Sequence, residues 1–396
     1  MDRNFTKRIY ANGDGLVPGT VLIVTPGGLE AGGGVGRQMG YFLRANQASQ
    51  QRLRYRIVDS RGPWFLGASP ICVAGAVIYF GRAAFMMLWT RLSSPCLAHV
   101  NITGRGSTIR KVILLTIARA IGLRYVLHLH DYDYAEYYRS RGTFLKGLIA
   151  TTFRRAAAVV VLGWRDLEVV SRSLQLRRDR MIVLHNAVPD PLPGLDKTPC
   201  SGKPCHLLFL GYLSARKGVP DLLQALARPA MKLRQWRATL AGGGPIDEFR
   251  NLAENLGILD RLCFPGWLDR AGVSALCADA DVLVLPSHAE GLAMSVLEGL
   301  SHGLAIVTTP VGAHSEVIEP DVSGILVPPG DVAALADALV SVIEDASLRN
   351  RLARAGRDRF LEGFDVRRYA ARLGQLHARL LTPHRDHPLV GTRQAS

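Results

Sequence analysis

Short apolar runs recur along the chain, each bounded by turn-forming residues and most of them followed by a stretch with helical spacing. The first set is TVLIVTP (20–26), RYRIVDS (54–60), CLAHVN (96–101), RYVLHLH (124–130), AAVVVLG (157–163) and RMIVLHN (180–186). The second is HLLFLG (206–211), RATLAG (237–242), RLCFPG (261–266), DVLVLP (281–286), AIVTTP (305–310) and GILVPP (324–329). Strands of this kind, apolar throughout and separated by helices, predict parallel sheets covered on both faces. The 396 residues exceed one typical core and suit two. The fold class expected is therefore α/β, with two Rossmann-like doubly wound domains facing a cleft.

The pattern breaks at AVPDPLPGLDKTPCSGKP (187–204), which has five prolines and no periodicity and reads as a linker. The expected divisions are an irregular tail (1–19), an N-terminal domain (20–186), the linker, and a C-terminal domain (205–365). A helix at 366–382 packs back on the N-terminal domain, and a disordered tail (383–396) ends the chain. The first apolar segment after the tail is a strand, so no signal core is expected and the protein reads as cytoplasmic. The cysteines at 72, 96, 200, 205, 263 and 277 include one C-x4-C without a second pair, which argues against a zinc site and for reduced thiols.

The formal charge of +15 admits anionic partners, although only seven of the 48 basic residues are lysine and the arginines are scattered as on a solvated surface. Nucleic acid is not expected among the partners. The segment ICVAGAVIYFGRAAFMMLW (71–89) approaches the length of a membrane span, but Arg82 and two glycines interrupt it. A helix buried in its domain is expected, with a helix resting on a membrane surface as the second reading.

The chemistry concentrates in the second half. FLGYLSARKG (209–218) runs from a strand into a helix start carrying Arg216 and Lys217, where cations and free amides can clamp a diphosphate. AGGGP (241–245), with Gly243, lets the main chain approach a ligand. EGLAMSVLE (290–298) puts Glu290 and Gly291 in the loop after a strand. A helix is expected from Leu292 or Ala293, with Glu298 in its second turn. One turn could thus offer a carboxylate to a sugar, amides to a phosphate and a carboxylate to a ribose diol.

This order of segments, from FLGYLSARKG through AGGGP, DADVLVLPS, EGLAMSVLE and GLAIVTTPVGAHSEVI to SGILVPPGD, resembles the retaining glycosyltransferases of family 4, with the GT-B fold. The first half resembles them more loosely, through GGLEAGGGVGR (27–37), LHLHD (127–131) and LHNAV (184–188). The resemblance implies that Lys217 and Arg216 hold the donor diphosphate. Glu298 would bind the nucleoside ribose, and Glu290 the donor sugar. The amides of Gly291, Leu292 and Ala293 would surround the phosphate, Gly33 and Gly34 would approach from the other domain, and His130 would line the reaction centre. Tyr212 stands where the family usually has arginine, and Ala293 where proline is common. The implied reaction is a metal-independent transfer, without cofactor, from a nucleotide-diphosphate sugar to a hydroxyl. A nucleotide diphosphate is a good leaving group, so no paired acid–base carboxylates are required. The segment at 71–92 suggests a lipid-linked or cell-surface glycan acceptor, with the enzyme peripheral on the inner membrane face.

Three rival readings follow from other residues. G-x-G-x-x-x-G at 34–40, with Asp59 ending the next strand, resembles the fingerprint of an NAD(P)-dependent oxidoreductase, although the loop before Gly36 is long for it. DYD (131–133) could hold a divalent cation against a diphosphate. A nucleotide-sugar epimerase shares the fold class.

Overall fold

Each apolar run forms a strand, and each pairing between strands is parallel. The computed structural model describes residues 19–29, 33–47, 53–61, 70–191 and 204–382, with the side chains of 70–74 and 76 excepted. Both tails, residues 30–32 of the glycine loop, most of the Pro-rich linker, Cys200 and the Cys72 side chain lie outside the described residues.

The N-terminal strands are β1 (Thr20–Thr25), β2 (Arg54–Asp59), β3 (Cys96–Ile102), β4 (Arg124–Leu129), β5 (Ala158–Val161) and β6 (Met181–Val183). They form one sheet in the order β2-β1-β3-β4-β5-β6. Its helices are α1 (Gly33–Gln47), α2 (Pro70–Ser93), α3 (Gly106–Ala120), α4 (Tyr134–Arg139), α5 (Thr143–Arg154) and α6 (Trp164–Leu174). The C-terminal strands are β7 (Cys205–Leu210), β8 (Trp236–Ala241), β9 (Leu262–Gly266), β10 (Val282–Leu285), β11 (Ala305–Thr308) and β12 (Ile325–Leu326). Their order is β12-β11-β10-β7-β8-β9. Here the helices are α7 (Val219–Leu226), α8 (Pro229–Lys232), α9 (Ile246–Asn255), α10 (Arg270–Asp279), α11 (Met294–Ser301), α12 (His314–Val317), α13 (Val332–Glu344), α14 (Ala346–Gly363) and α15 (Val366–Leu381).

Each sheet has one point where the chain reverses its direction of travel, between β1 and β3 in the first and between β7 and β10 in the second. Ligands of such sheets collect outside the carboxyl ends of the strands at that point. Central strands β1 and β7 are buried at every position, as their unbroken apolar sequences require.

Element boundaries differ from the sequence expectation at several places, and some of the differences have a local reason. β12 stops at Leu326 rather than continuing to 329, because Pro328 and Pro329 have no N–H to give to a ladder. α1 begins at Gly33, inside the GGLEAGGGVGR segment. Glycine counts against a helix interior, but a first turn makes no internal N–H bond and tolerates it. α11 begins at Met294, one residue beyond the later of the two expected starts.

The domains are fastened by the segment on either side of α15. Val188 pairs with Asp365: its amide donates to the Phe364 carbonyl (3.1 Å), and the Val366 amide donates back to the Val188 carbonyl (3.0 Å). α15 then crosses to the N-terminal domain and packs on α1 and β3. Arg124 Nη1 donates to the carbonyl of Leu380 (2.7 Å). One apolar cluster consequently runs from Val21 and Phe42 through Val188 and Tyr369 to Leu283 and Leu297, while the far face of the first sheet has its own core. α2, the longest helix, opens with Pro70 in a position that needs no N–H. Among the described residues no helix is long and apolar enough to cross a membrane.

Candidate active site

The reversal point of the second sheet brings together the two segments that the sequence singled out. After β7 the chain makes a short turn at Ala215–Lys217, capped by Ser214. Gly218 follows with φ of 71°, and a Cβ there would lie 2.0 Å from the Pro286 carbonyl oxygen. Only glycine lets this turn rest on the end of β10. The His288 amide donates to the Arg216 carbonyl (2.8 Å), joining the two loops. Lys217 Nζ then lies 2.5 Å from Glu290 Oε1, and Arg216 Nη1 lies 3.1 Å from the same oxygen. Arg216 Nη1 also donates to the Ala289 carbonyl (2.5 Å). Lys217 and Glu290 are nearly enclosed, with side chains 12% and 11% exposed, whereas Arg216 reaches solvent at 40%. Gly312, at φ 57°, wraps under this loop; a Cβ on it would meet the carbonyl oxygens of Glu290 and Gly291 at 2.1 Å. Tyr212 points outward and is exposed.

α11 starts at the bottom of this loop. Its N-cap, Ala293, supplies no side-chain acceptor, so the first amides are left without a side-chain cap. The amide of Ala293 itself donates to His314 Nε2 (3.3 Å). His314 Nδ1 faces the Thr309 carbonyl (3.1 Å), which assigns its proton to Nδ1, and burial holds the ring neutral by lowering its pKa to about 4. The Ala293 amide is therefore engaged within the protein, while Gly291 and Leu292 precede it in the loop. Glu298 is buried and meets Arg37 Nη1 of α1 at 3.3 Å, across the cleft. Burial raises the pKa of its carboxyl, and Arg37 works against that shift.

From the N-terminal domain, His130 follows β4 and contributes Nε2 to Asn101 Oδ1 at 2.8 Å. Asn101 Nδ2 donates to the Val24 carbonyl (3.2 Å), which fixes the amide orientation and makes His130 Nε2 the donor. Burial lowers the His130 pKa to about 3, so the ring is neutral with Nδ1 available as an acceptor. The His130 carbonyl lies 3.8 Å from where Gly291 would carry a Cβ, so the two loops touch. Gly33 and Gly34 open α1 with nothing within 4 Å of a Cβ added to either, as does Gly243 after β8. Gly33, Arg37 and Glu298 line a chamber of about 790 Å³ between the domains.

Several residues that the sequence reading passed over hold the domains together. Glu316 Oε1 accepts from the amides of Trp164 (2.7 Å) and Arg165 (3.3 Å) at the start of α6, and Oε2 faces His185 Nε2 (2.8 Å). Burial works to raise its pKa, but the bonds from His185 and the Trp164 amide hold it below the ordinary value. Asn186 Nδ2 donates to the Leu292 carbonyl (2.9 Å). Arg216 lies over the Tyr132 ring (5.4 Å). Asp59, reserved by the dinucleotide reading for a ribose, instead accepts from the amides of Gly27 and Arg61, both at 2.8 Å. Among the described residues no group of three or more His, Cys, Asp or Glu side chains is arranged to hold a metal ion.

Two doubly wound sheets facing each other across a cleft have the GT-B architecture, and part of the chain matches a glycosyltransferase family. Residues 196–359 match the family described as glycosyl transferases group 1. Along the sequence, the chain is 29% identical to a glycogen synthase of Mycobacterium tuberculosis over 282 residues, 64% of this chain and 68% of that protein. It is 34% identical to a phosphatidyl-myo-inositol mannosyltransferase of Mycobacterium leprae over 179 residues, 45% of each. In structure it resembles HepE of Anabaena, solved with UDP and glucose, at a TM-score of 0.70 and 19% identity, covering 91% of this chain and 99% of that one.

Proposed function

We propose that the protein transfers a sugar, with retention of anomeric configuration and without a metal ion, from a nucleotide-diphosphate donor to a hydroxyl of a lipid-linked or cell-surface glycan acceptor. The observation that carries this reading is the grouping of Lys217 and Arg216 on Glu290 Oε1 at the reversal point of the second sheet. Two cations share one carboxylate, so a net positive charge faces the place where a diphosphate would lie.

Breaking the bond between sugar and diphosphate builds negative charge on the departing phosphate. Lys217, Arg216 and the first amides of α11 are fixed before the reaction and would stabilise that charge more in the transition state than in the ground state. Glu290 accepts hydrogen bonds from hydroxyls of the sugar, and its contact with Lys217 holds it oriented. Glu298 accepts from the ribose diol, in place of Arg37. His130, neutral and with Nδ1 open, accepts from a hydroxyl of the transferred sugar. The leaving phosphate takes the proton of the acceptor hydroxyl as the new bond forms on the same face.

A UDP donor is supported by the UDP and glucose held by the Anabaena structural relative. A lipid-linked acceptor is supported by the mannosyltransferase relative, whose name specifies phosphatidyl-myo-inositol, and by the exposed apolar residues of α2. The test is incubation with UDP-, GDP- and dTDP-sugars and lipid-diphosphate acceptors, with and without EDTA. Products are read by mass and anomeric configuration by NMR. Loss of turnover in EDTA, or an inverted product, would overturn the corresponding part of the reading.

A further inference from the structure

Lys217, Arg216 and Glu290 gather at the reversal point of the second sheet. The corresponding point of the first sheet lies between β1 and β3, where the loop TGRG (103–106) leads from β3 into α3. A ligand is expected there on the same ground. The loop is fixed by its neighbours. A Cβ on Gly104 would stand 2.1 Å from Asp131 Oδ2, so only glycine fits. The Arg105 carbonyl accepts from the Tyr137 hydroxyl and the Thr108 amide, both at 3.1 Å. Thr108 Oγ1 donates to the Thr103 carbonyl (2.9 Å).

The charge presented at this point is positive. α3 has no side-chain cap and no acidic residue in its first turn, and Arg110 and Lys111 follow in the second. That is the reverse of the arrangement that stabilises a helix start. Arg110 folds back over the start: its Nη1 lies 3.5 Å from where Gly106 would carry a Cβ. Its Nε is buried and has no acceptor among the described residues. Lys111 is 1% exposed; its ammonium donates to Ser107 Oγ (2.6 Å) and forms no ion pair among the described residues. Burial and, next, the charge of Arg110 lower its pKa to about 7. Arg61, half-buried just past β2, adds a third cation. Burial and then the Arg61 charge lower the Arg110 pKa, and Asp59 opposes them.

Two carboxylates stand nearby, and both are placed by the main chain. Asp59 Oδ1 accepts from the amides of Gly27 and Arg61, and Asp131 lies against Gly104 on the side of β4. A buried guanidinium donor without an acceptor is destabilising, and an anion that accepts from it removes the penalty. None of Arg61, Arg110 and Lys111 lines the chamber that holds Gly33 and Glu298.

The loop also borders the transfer centre. Ile102 pairs with Leu129, and the His130 amide donates to the Ile102 carbonyl (3.0 Å). The strand order β2-β1-β3-β4 sets Arg61 and His130 three strand intervals apart, about 14 Å. One molecule reaching both has a sugar unit between its phosphate and its hydroxyl.

We propose that the acceptor carries a phosphate, and that this phosphate bridges Arg61 and Arg110 over the start of α3, with the charge of Lys111 beneath it and the accepting hydroxyl at His130. The role of the site as an acceptor subsite rests on the transferase reading above; phosphate binding there does not.

The test uses the full chain saturated with UDP, which covers Lys217 and Arg216, titrated calorimetrically with inorganic phosphate. The wild type is expected to bind it, and Arg61→Gln/Arg110→Gln to bind at least about tenfold more weakly. UDP affinity should be unchanged in that variant, which also shows that it is folded. Arg61→Gln alone, with a smaller loss in the same direction, serves if the double variant does not fold. Geranyl diphosphate and glucose 6-phosphate should each compete with inorganic phosphate. Tighter binding of the first assigns the phosphate to a lipid carrier, and tighter binding of the second to a phosphorylated sugar. No phosphate binding by the UDP-saturated wild type, equal binding by wild type and variants, or competition by neither ester would overturn the proposal. Failure of UDP to bind would instead sink the donor reading, and the phosphate comparison between wild type and variants would still decide this one.

Discussion

Glu290 and Lys217 are separated by 73 positions in sequence, yet a carboxylate oxygen of one lies 2.5 Å from the ammonium of the other. The contact exists because β7 and β10 are neighbours at the point where the second sheet reverses, and because Gly218 lets their loops touch. Lys217→Ala should lower kcat by about 10²–10³, the usual cost of removing one fixed charge-stabilising donor, with a smaller change in acceptor KM. Glu290→Gln should weaken sugar discrimination as well, because the amide is neutral and no longer draws the two cations. Steady-state kinetics with two donors that share a nucleotide checks both. Wild-type kcat in Lys217→Ala would remove this residue from the chemistry.

Gly218→Ala tests the same geometry through the backbone. The added methyl would sit 2.0 Å from a carbonyl oxygen at a φ of 71°. We expect a loss of about 2–4 kcal/mol in stability by denaturant titration, and reduced donor affinity in whatever fraction remains folded.

Lys217 and Glu290 could each be singled out because each sits in a short segment with a recognisable frame, a strand, a turn and a helix start, although their contact with one another was not expected. The two sheets were legible for a similar reason, since runs such as VLIV and LVLP have no stable place except inside a covered parallel sheet. What the sequence did not reveal are contacts whose partner lies in the other domain. Arg37, Glu316 and Asn186 occupy ordinary helix or loop positions, and their partners Glu298, Trp164 and Leu292 are 106 or more positions away. Their meeting depends on the docking angle of two domains, which no local periodicity encodes. β12 was overestimated because apolar content outweighed the two prolines that end it.

Arg37 and Glu298 form a measurable interdomain couple. Arg37 is 40% exposed, so solvent screening limits the pair to about 0.5–1 kcal/mol. Arg37→Ala should leave stability nearly unchanged and free Glu298 for the donor ribose. Glu298→Ala should instead weaken donor binding by about tenfold. Calorimetric titration of UDP into both variants checks the opposite directions. Equal losses would mean that Arg37 itself holds the nucleotide.

Glu316 acts as a latch between the domains by accepting from the first amides of α6. A Cβ on Gly163 would stand 2.7 Å from Glu316 Oε1 and 2.8 Å from Ala313 Cβ. Gly163→Ala should therefore open the cleft, and Glu316→Ala should do so by removing the acceptor. Small-angle scattering is expected to show a larger radius of gyration for each, with kcat/KM reduced several-fold. The double variant should resemble either single one, since both break the same contact.

The helix that fastens the domains carries a titration of its own. His377 of α15 joins Tyr55 and His99 at 3.2 and 3.0 Å, and His99 joins His128 at 3.2 Å, all inside the first domain. Burial lowers the pKa of His99 to about 4 and those of His128 and His377 well below the ordinary value. In the unfolded chain each titrates near its ordinary value of about 6.5. Between that pH and the folded values, the unfolded state binds protons that the folded state does not. The stability these imidazoles contribute is thus fully present above about pH 6.5 and is lost as the pH falls through about 4. Each contributes a slope of up to about 1.4 kcal/mol per pH unit in that window. Urea titrations between pH 7.5 and 4.5 should show the midpoint falling steadily, and His377→Asn should be less stable at pH 7.5 but have a slope shallower by up to about one proton. An unchanged slope in that variant would show that His377 already carries a proton in the folded protein, and that the contact between α15 and β3 is not made by neutral rings.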